Sequence, residues 1–168
     1  MIQIRDAVRE DIPKILEIYN DIILRTTAVY DYQPHTLLLR EAWFDTKQKD
    51  GWPVFIAEEY GLMLGFSSIG PFRAWAAYQY SVENSIYVAA GMRGKGIGRL
   101  LLEPLVEAAK AKKMHTIIAG IDAGNQASLK LHQSFGFVEV AHFKEVGYKF
   151  GRWLDLTFLQ LMLDGSGR

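Results

Sequence analysis

Ser85 to Leu102, SIYVAAGMRGKGIGRLLL, limits the possible folds more than any other stretch of the chain. The apolar run Ile86-Tyr87-Val88-Ala89-Ala90 predicts a buried strand. It gives way to Arg93-Gly94-Lys95-Gly96-Ile97-Gly98, and then to a helical pattern with Leu101, Leu105 and Ala109 on one face. A strand that ends in glycines and restarts as a helix leaves several amide N–H groups without an acceptor inside the helix. Such a turn is a cup for an anion, at the positive end of the helix dipole. The same pattern also serves as a tight turn with no ligand.

Two common phosphate loops are excluded by position. A Walker loop carries Ser or Thr after Gly-Lys, whereas Gly94-Lys95 is followed by Gly96. A dinucleotide fingerprint needs a third glycine where Arg99 stands, and an acidic residue about 20 residues on. Asp122 ends the next predicted strand, but lies about 25 residues away.

The 168 residues predict one domain, 1–168, with 49% hydrophobic residues and a sizeable core. Lys plus Arg equals Asp plus Glu at 19 each, which offers no support for a nucleic-acid or membrane-surface partner. No cysteine is present, so disulfides, thiolate metal sites and a cysteine nucleophile are excluded together. No two histidines show metal-ligand spacing, and no metal is expected. The N-terminus MIQIRDAVRED lacks the apolar core of a signal peptide, and no apolar run nears the roughly 18 residues of a membrane span. These features predict a soluble cytoplasmic protein.

Periodicity predicts strands over 2–7, 54–58, 62–69, 78–90, 116–122, 137–149 and 153–163. It predicts helices over 10–24, 36–49, 96–112 and 125–135, with Pro104 bending the third or delaying its start. The order is mixed α/β with a partly antiparallel sheet.

A second segment adds to the cup. Asn125-Gln126-Ala127-Ser128 and Gly136-Phe137 follow the next strand. Arg93, Gly96 and Gly98, then Asn125, Ser128, Gly136 and Phe137, resemble the paired motifs of the GCN5-related N-acetyltransferase (GNAT) superfamily. Pro71-Phe72-Arg73-Ala74-Trp75, Tyr78, Ser81 to Val88, Thr27 to Tyr30, Leu131-His132 and Phe150 to Asp155 are similar to its phosphinothricin acetyltransferase branch. The methionine-sulfone enzymes are the nearer match. The resemblance implies an acyl-CoA N-acyltransferase fold: a mostly antiparallel seven-stranded sheet, splayed in the middle by a bulge and flanked by about four helices. It implies acetyl-CoA as cosubstrate and a small amino-acid analogue as acceptor, acetylated on its α-amine by direct attack.

The resemblance also distributes the roles. The diphosphate would be held by the amides of Gly94, Lys95, Gly96, Ile97, Gly98 and Arg99, with charge from Arg93, Lys95 and Arg99. The pantetheine arm would bond to backbone near Tyr87 and Val88 and to Asn125 and Ser134, with the thioester near Ile86. Glu83 is the candidate base, with an ion-paired strand glutamate as the plain alternative. His132 is the candidate proton donor to the leaving thiolate, and a packing histidine is its alternative. Arg73 is the candidate for the substrate carboxylate, because a guanidinium grips a planar carboxylate in two places. Ala74, Trp75, Tyr78, Asn84, Ser85, Thr27 and Tyr30 would complete the acceptor pocket, with core or interface packing as the other reading of the aromatics. The apolar C-terminal strand reads as a core strand, and the resemblance implies that this region also forms a homodimer. A peptide N-terminus, a polyamine and a non-catalytic acyl-CoA sensor are the competing readings.

Overall fold

In the computed structural model, which describes residues 1–163, apolar spacing turns directly into helix faces. The last five residues of the expected 1–168 domain lie outside the described residues. Helix α1 (Ile12–Arg25) buries Ile12, Ile15, Ile18 and Ile22 on one side. Each isoleucine removed from water contributes roughly 1.5–3 kcal/mol. Helix α2 (Leu37–Lys49) starts at Thr36, whose hydroxyl accepts from the Leu39 amide at 3.2 Å. It buries Phe44 and Arg40, while Leu37 and Leu38 face solvent. Both helices cover one face of the sheet, around Ile56 and Phe66. Helices α3 (Ile97–Ala111) and α4 (Gln126–Ser134) lie against the other core, built on Leu102, Leu105, Ile117 and Leu159. Helix α3 runs through Pro104 without starting later.

The strands are β1 (Gln3–Asp6), β2 (Val54–Glu59), β3 (Leu62–Pro71), β4 (Ser81–Val88), β5 (Thr116–Asp122), β6 (Val138–Lys149) and β7 (Arg152–Met162). They form one seven-stranded sheet in the order β1-β2-β3-β4-β5-β7-β6. The strand expected from Tyr78 begins later, because Ala76–Tyr78 forms a 3-10 turn.

Among the described strands only β4 and β5 are parallel, and they pair solely at Ser81–Thr116, Val82–Ile117 and Glu83–Ile118. Beyond Glu83 they part. Strand β4 stays paired to β3 without a register shift from Val82 to Val88, and β5 stays paired to β7 over its full length. The expected bulge is therefore absent from the β3–β4 ladder. Each strand keeps its antiparallel partner, and the weaker parallel pairing gives way.

Candidate functional site

The parting exposes backbone. The Ala89 amide donates to the Leu64 carbonyl and the Phe72 amide to the Ser81 carbonyl, so odd-numbered residues of β4 turn their polar groups to β3. The alternation turns the amides and carbonyls of Ile86 and Val88 into the gap. Tyr87, expected to share that role, has its backbone committed to Phe66. Buried amides and carbonyls left unpaired are costly, so this edge is suited to a strand-like ligand.

At one end of the gap, Gly94 and Gly96 hold φ of +76° and +78°, and a Cβ on either would project into open space. Gly96 caps α3, and among the described residues no backbone carbonyl receives the amides of Lys95, Gly96, Ile97 or Gly98. The Arg99 amide is different: it donates to the Gly96 carbonyl at 3.1 Å, which withdraws it from the cup. The Arg99 guanidinium instead lies 5.0 Å over the Phe135 ring. Ile97 offers only its amide, since its side chain is in the core. Gly98 lets α3 meet α4, where a Cβ would come within 2.9 Å of Leu131. The cup opens on a cleft of about 570 Å³ lined by Ile86, Val88, Arg93, Thr27, Asn125 and Arg152. Amides, positive charge and an unpaired strand edge fit a diphosphate with an amide-bearing arm, the chemistry of CoA.

A second cavity of about 230 Å³ continues past Ile86 to Glu83, Asn84, Ser85, Asp122 and His132. Glu83 is half-buried, and burial raises its pKa, an effect opposed by Arg73 at 4.0 Å. His132 is buried, which lowers its pKa. Its Nδ1 lies 2.8 Å from the Ser128 carbonyl, which can only accept, so Nδ1 carries the proton. Nε2 then accepts from the Asn84 amide at 2.9 Å. The proton-donor expectation for His132 meets this obstacle: its single ring proton is held by a backbone carbonyl. Asn84 is left with a buried Oδ1 that has no hydrogen-bond partner among the described residues. Asn125 caps α4 through its Oδ1, which accepts from the Ser128 amide, and its amide nitrogen is not used by the cap. Ser134 is exposed and donates to the Leu131 carbonyl, so its hydroxyl is spent within the helix and does not line the cleft.

On the acceptor side, Arg73 folds back on itself. Its guanidinium stacks 4.0 Å over Phe72 and donates to the Phe72 carbonyl at 2.7 Å. Ala74 is exposed, Trp75 is 73% exposed, and Tyr78 packs edge-on against Phe72. None of the three lines either cavity, which removes them from the pocket wall within this chain and leaves the interface reading. Tyr30 also lies outside both cavities. Its hydroxyl donates to Asp122 at 2.9 Å or to the Asp155 carbonyl at 3.0 Å, pinning the α1–α2 loop. Lys149 pins the same loop, donating to the carbonyls of Ile23, Thr26 and Val29 at 2.6, 2.8 and 2.8 Å. Asp122, Ser128 and Arg152 line the cleft although the sequence reading assigned them no role there. Asp122 had a visible signal, a carboxylate ending a buried strand just before Gly124.

Among the described residues no group of three or more His, Cys, Asp or Glu is placed to hold a metal, and no helix is long and apolar enough to cross a membrane.

Comparison with known proteins gives a concordant picture. The model of the acetyltransferase (GNAT) domain matches residues 4–158. An L-methionine sulfoximine/L-methionine sulfone acetyltransferase of Pseudomonas aeruginosa is 46% identical, over 96% of this chain and 94% of its own. The crystal structure of an N-acetyltransferase from Staphylococcus aureus has a TM-score of 0.96 at 54% identity, covering 98% of this chain and 99% of that one. That of a GNAT superfamily phosphinothricin acetyltransferase from Sinorhizobium meliloti, in complex with AcCoA, has a TM-score of 0.94 at 37% identity, covering 96% and 88%.

Proposed function

Because this chain belongs to the GNAT acetyltransferase family, we propose that it acetylates the α-amine of a small amino-acid analogue of the methionine sulfone, methionine sulfoximine or phosphinothricin type. The observation that carries this reading is the continuous gap from the glycine cup, along the unpaired edge of Ile86 and Val88, to the carboxylate of Glu83. Bound acetyl-CoA supplies an activated acyl thioester. The chain's own residues do the rest. The cup and Arg93 hold negative charge at one end, and the amides of Ile86 and Val88 hold the arm in register. Glu83 takes a proton from the bound α-ammonium, directly or through a water, and frees the lone pair for attack. The raised pKa of Glu83 brings base and ammonium closer in proton affinity. Arg73, swung from Phe72, grips the acceptor carboxylate beside Glu83. His132 acts as a positioning residue that fixes the Asn84 side chain in the wall of the gap.

The test is CoA release with acetyl-CoA and, in turn, methionine sulfone, phosphinothricin, spermidine and a short peptide. Release is expected with the first two. Release with spermidine or peptide alone would point to a polyamine or N-terminal acetyltransferase, and release with none to a binding protein. In the same assay Arg73→Ala raises the amino-acid KM about ten-fold or more, the scale of a lost charge-assisted pair, and leaves the acetyl-CoA KM unchanged. Equal amino-acid KM values for variant and parent would reject the contact.

We also propose that the protein works in the cytoplasm, as the lack of cysteine favours, and as a homodimer. Strand β6 is a sheet edge with Val138, Val140, Phe143 and Tyr148 exposed, beside exposed Trp153 on β7. Bare apolar edges of this kind favour a partner. A monomer by light scattering at micromolar concentration, or recovery outside the cytosol on cell fractionation, would overturn the respective statement.

A further inference from the structure

A cleft of about 500 Å³ opens between α2 and strands β3 and β4, on the same side of the sheet as Ser85 and Tyr87. Arg40, Trp43 and Lys47 share one stripe of α2, three and four residues apart. Arg40 is 3% exposed and stacks 3.9 Å over Tyr19 and 4.7 Å over Trp43. Its Nη2 meets His35 Nδ1 at 3.1 Å, and His35 in turn meets the exposed Asp31 at 3.2 Å. Nε has no partner. Lys47 donates to the Ile69 carbonyl at 2.6 Å, and Gly70 leaves room for its amine, since a Cβ there would lie 2.5 Å from Nζ. Among the described residues neither cation forms an ion pair with a carboxylate, and no carboxylate lines the cleft. Burial without a counter-ion lowers the Lys47 pKa to about 8. A desolvated cation with no anion beside it is costly, and here two face one cavity together with the hydroxyl-bearing residues Ser68 and Ser85.

Ser85 and Tyr87 border both this cleft and the cavity that holds Glu83. Glu83 and Ser85 lie two residues apart on one face of β4, about 7 Å along the strand. An amino acid with its amine at Glu83 therefore has its side chain directed along β4 toward α2. We propose that Arg40 and Lys47 form the subsite for the far end of the acceptor side chain and select an anionic end over a neutral one. This rests on the acceptor being an amino acid, as proposed above.

The experiment pairs kinetics with binding. Phosphinothricin carries an anionic end and methionine sulfone a neutral one. Lys47→Met is expected to raise the phosphinothricin KM at least ten-fold while holding the methionine sulfone KM within two-fold. Equal changes for both acceptors, or none, overturn the proposal. Binding is read without acetyl-CoA, by titrating the intrinsic fluorescence with phosphinothricin and with inorganic phosphate. A saturable change is expected that disappears in Trp43→Phe and shifts at least ten-fold in Lys47→Met. No Lys47-dependent change overturns the subsite. Phosphate should also compete with phosphinothricin for turnover, and non-competitive behaviour would make the cleft a separate anion site and overturn the assignment. Should the parent release CoA with neither amino acid, the functional reading fails, while the titration still decides whether the cleft holds anions. Lys47 is only half-buried, so its variant is expected to fold, which circular dichroism checks. Arg40→Lys serves as the second variant, with the same expected selectivity.

Discussion

Glu83→Gln lowers kcat by about 100- to 10,000-fold, the usual contribution of a positioned general base. Acetyl-CoA affinity stays unchanged, since the glycine cup and the free edge of β4 are untouched. The pH profile separates a base from a structural carboxylate. Burial raises the Glu83 pKa above its ordinary value, with Arg73 only partly opposing it. The parent therefore loses activity as pH falls through that raised value, and the glutamine variant lacks this acid limb. Stability moves the other way. A carboxyl with a raised folded-state pKa favours the fold while protonated, and that contribution is lost as pH rises through the folded value. Glutamine removes the ionisation, so the melting temperature at neutral pH is equal to or above that of the parent. Near-normal turnover in Glu83→Gln would reject the role.

Gly96→Val raises the Kd for acetyl-CoA at least 100-fold, about 2.7 kcal/mol. The residue caps α3 at a φ of +78°. A β-branched residue there costs of order 1–3 kcal/mol, and it relaxes by turning the Lys95 to Gly98 amides away from a common point. Its side chain also enters the open space above the cup. Gly61→Val is the control: it carries the same strain at φ +75° in the β2–β3 turn, which does not line the cleft, and should leave Kd alone. Calorimetry with acetyl-CoA decides between them, and comparable Kd values for Gly96→Val and parent would sink the cup.

What could be read from residues alone followed the range of the interaction. The strand over Thr116–Asp122 and the turn at Gly94 to Gly98 are written in local pattern, and both stand where spacing places them. Ser134 shows the limit of that reading: a serine three residues past Leu131 in a helix has a carbonyl within reach, and takes it. Arg40 looks like a surface charge on a helix until Tyr19, from α1, closes over it together with its helix neighbour Trp43. The parting of β4 from β5 is set by which ladders persist, a property of pairs of strands. The commitment of the His132 proton needs both Ser128 and Asn84 in place. Neither of the last two has a signature in spacing.

The anchoring of the α1–α2 loop has a consequence for how the protein is made. The carbonyls at 23, 26 and 29 receive their bonds from a lysine 120 to 126 positions later, and Tyr30 reaches across a comparable span to Asp155. Closing so long a loop carries an entropic penalty and delays the contacts that depend on it. On a ribosome the first two helices emerge long before that lysine does. One side of the cleft thus waits unfastened until the β6–β7 hairpin has left the exit tunnel.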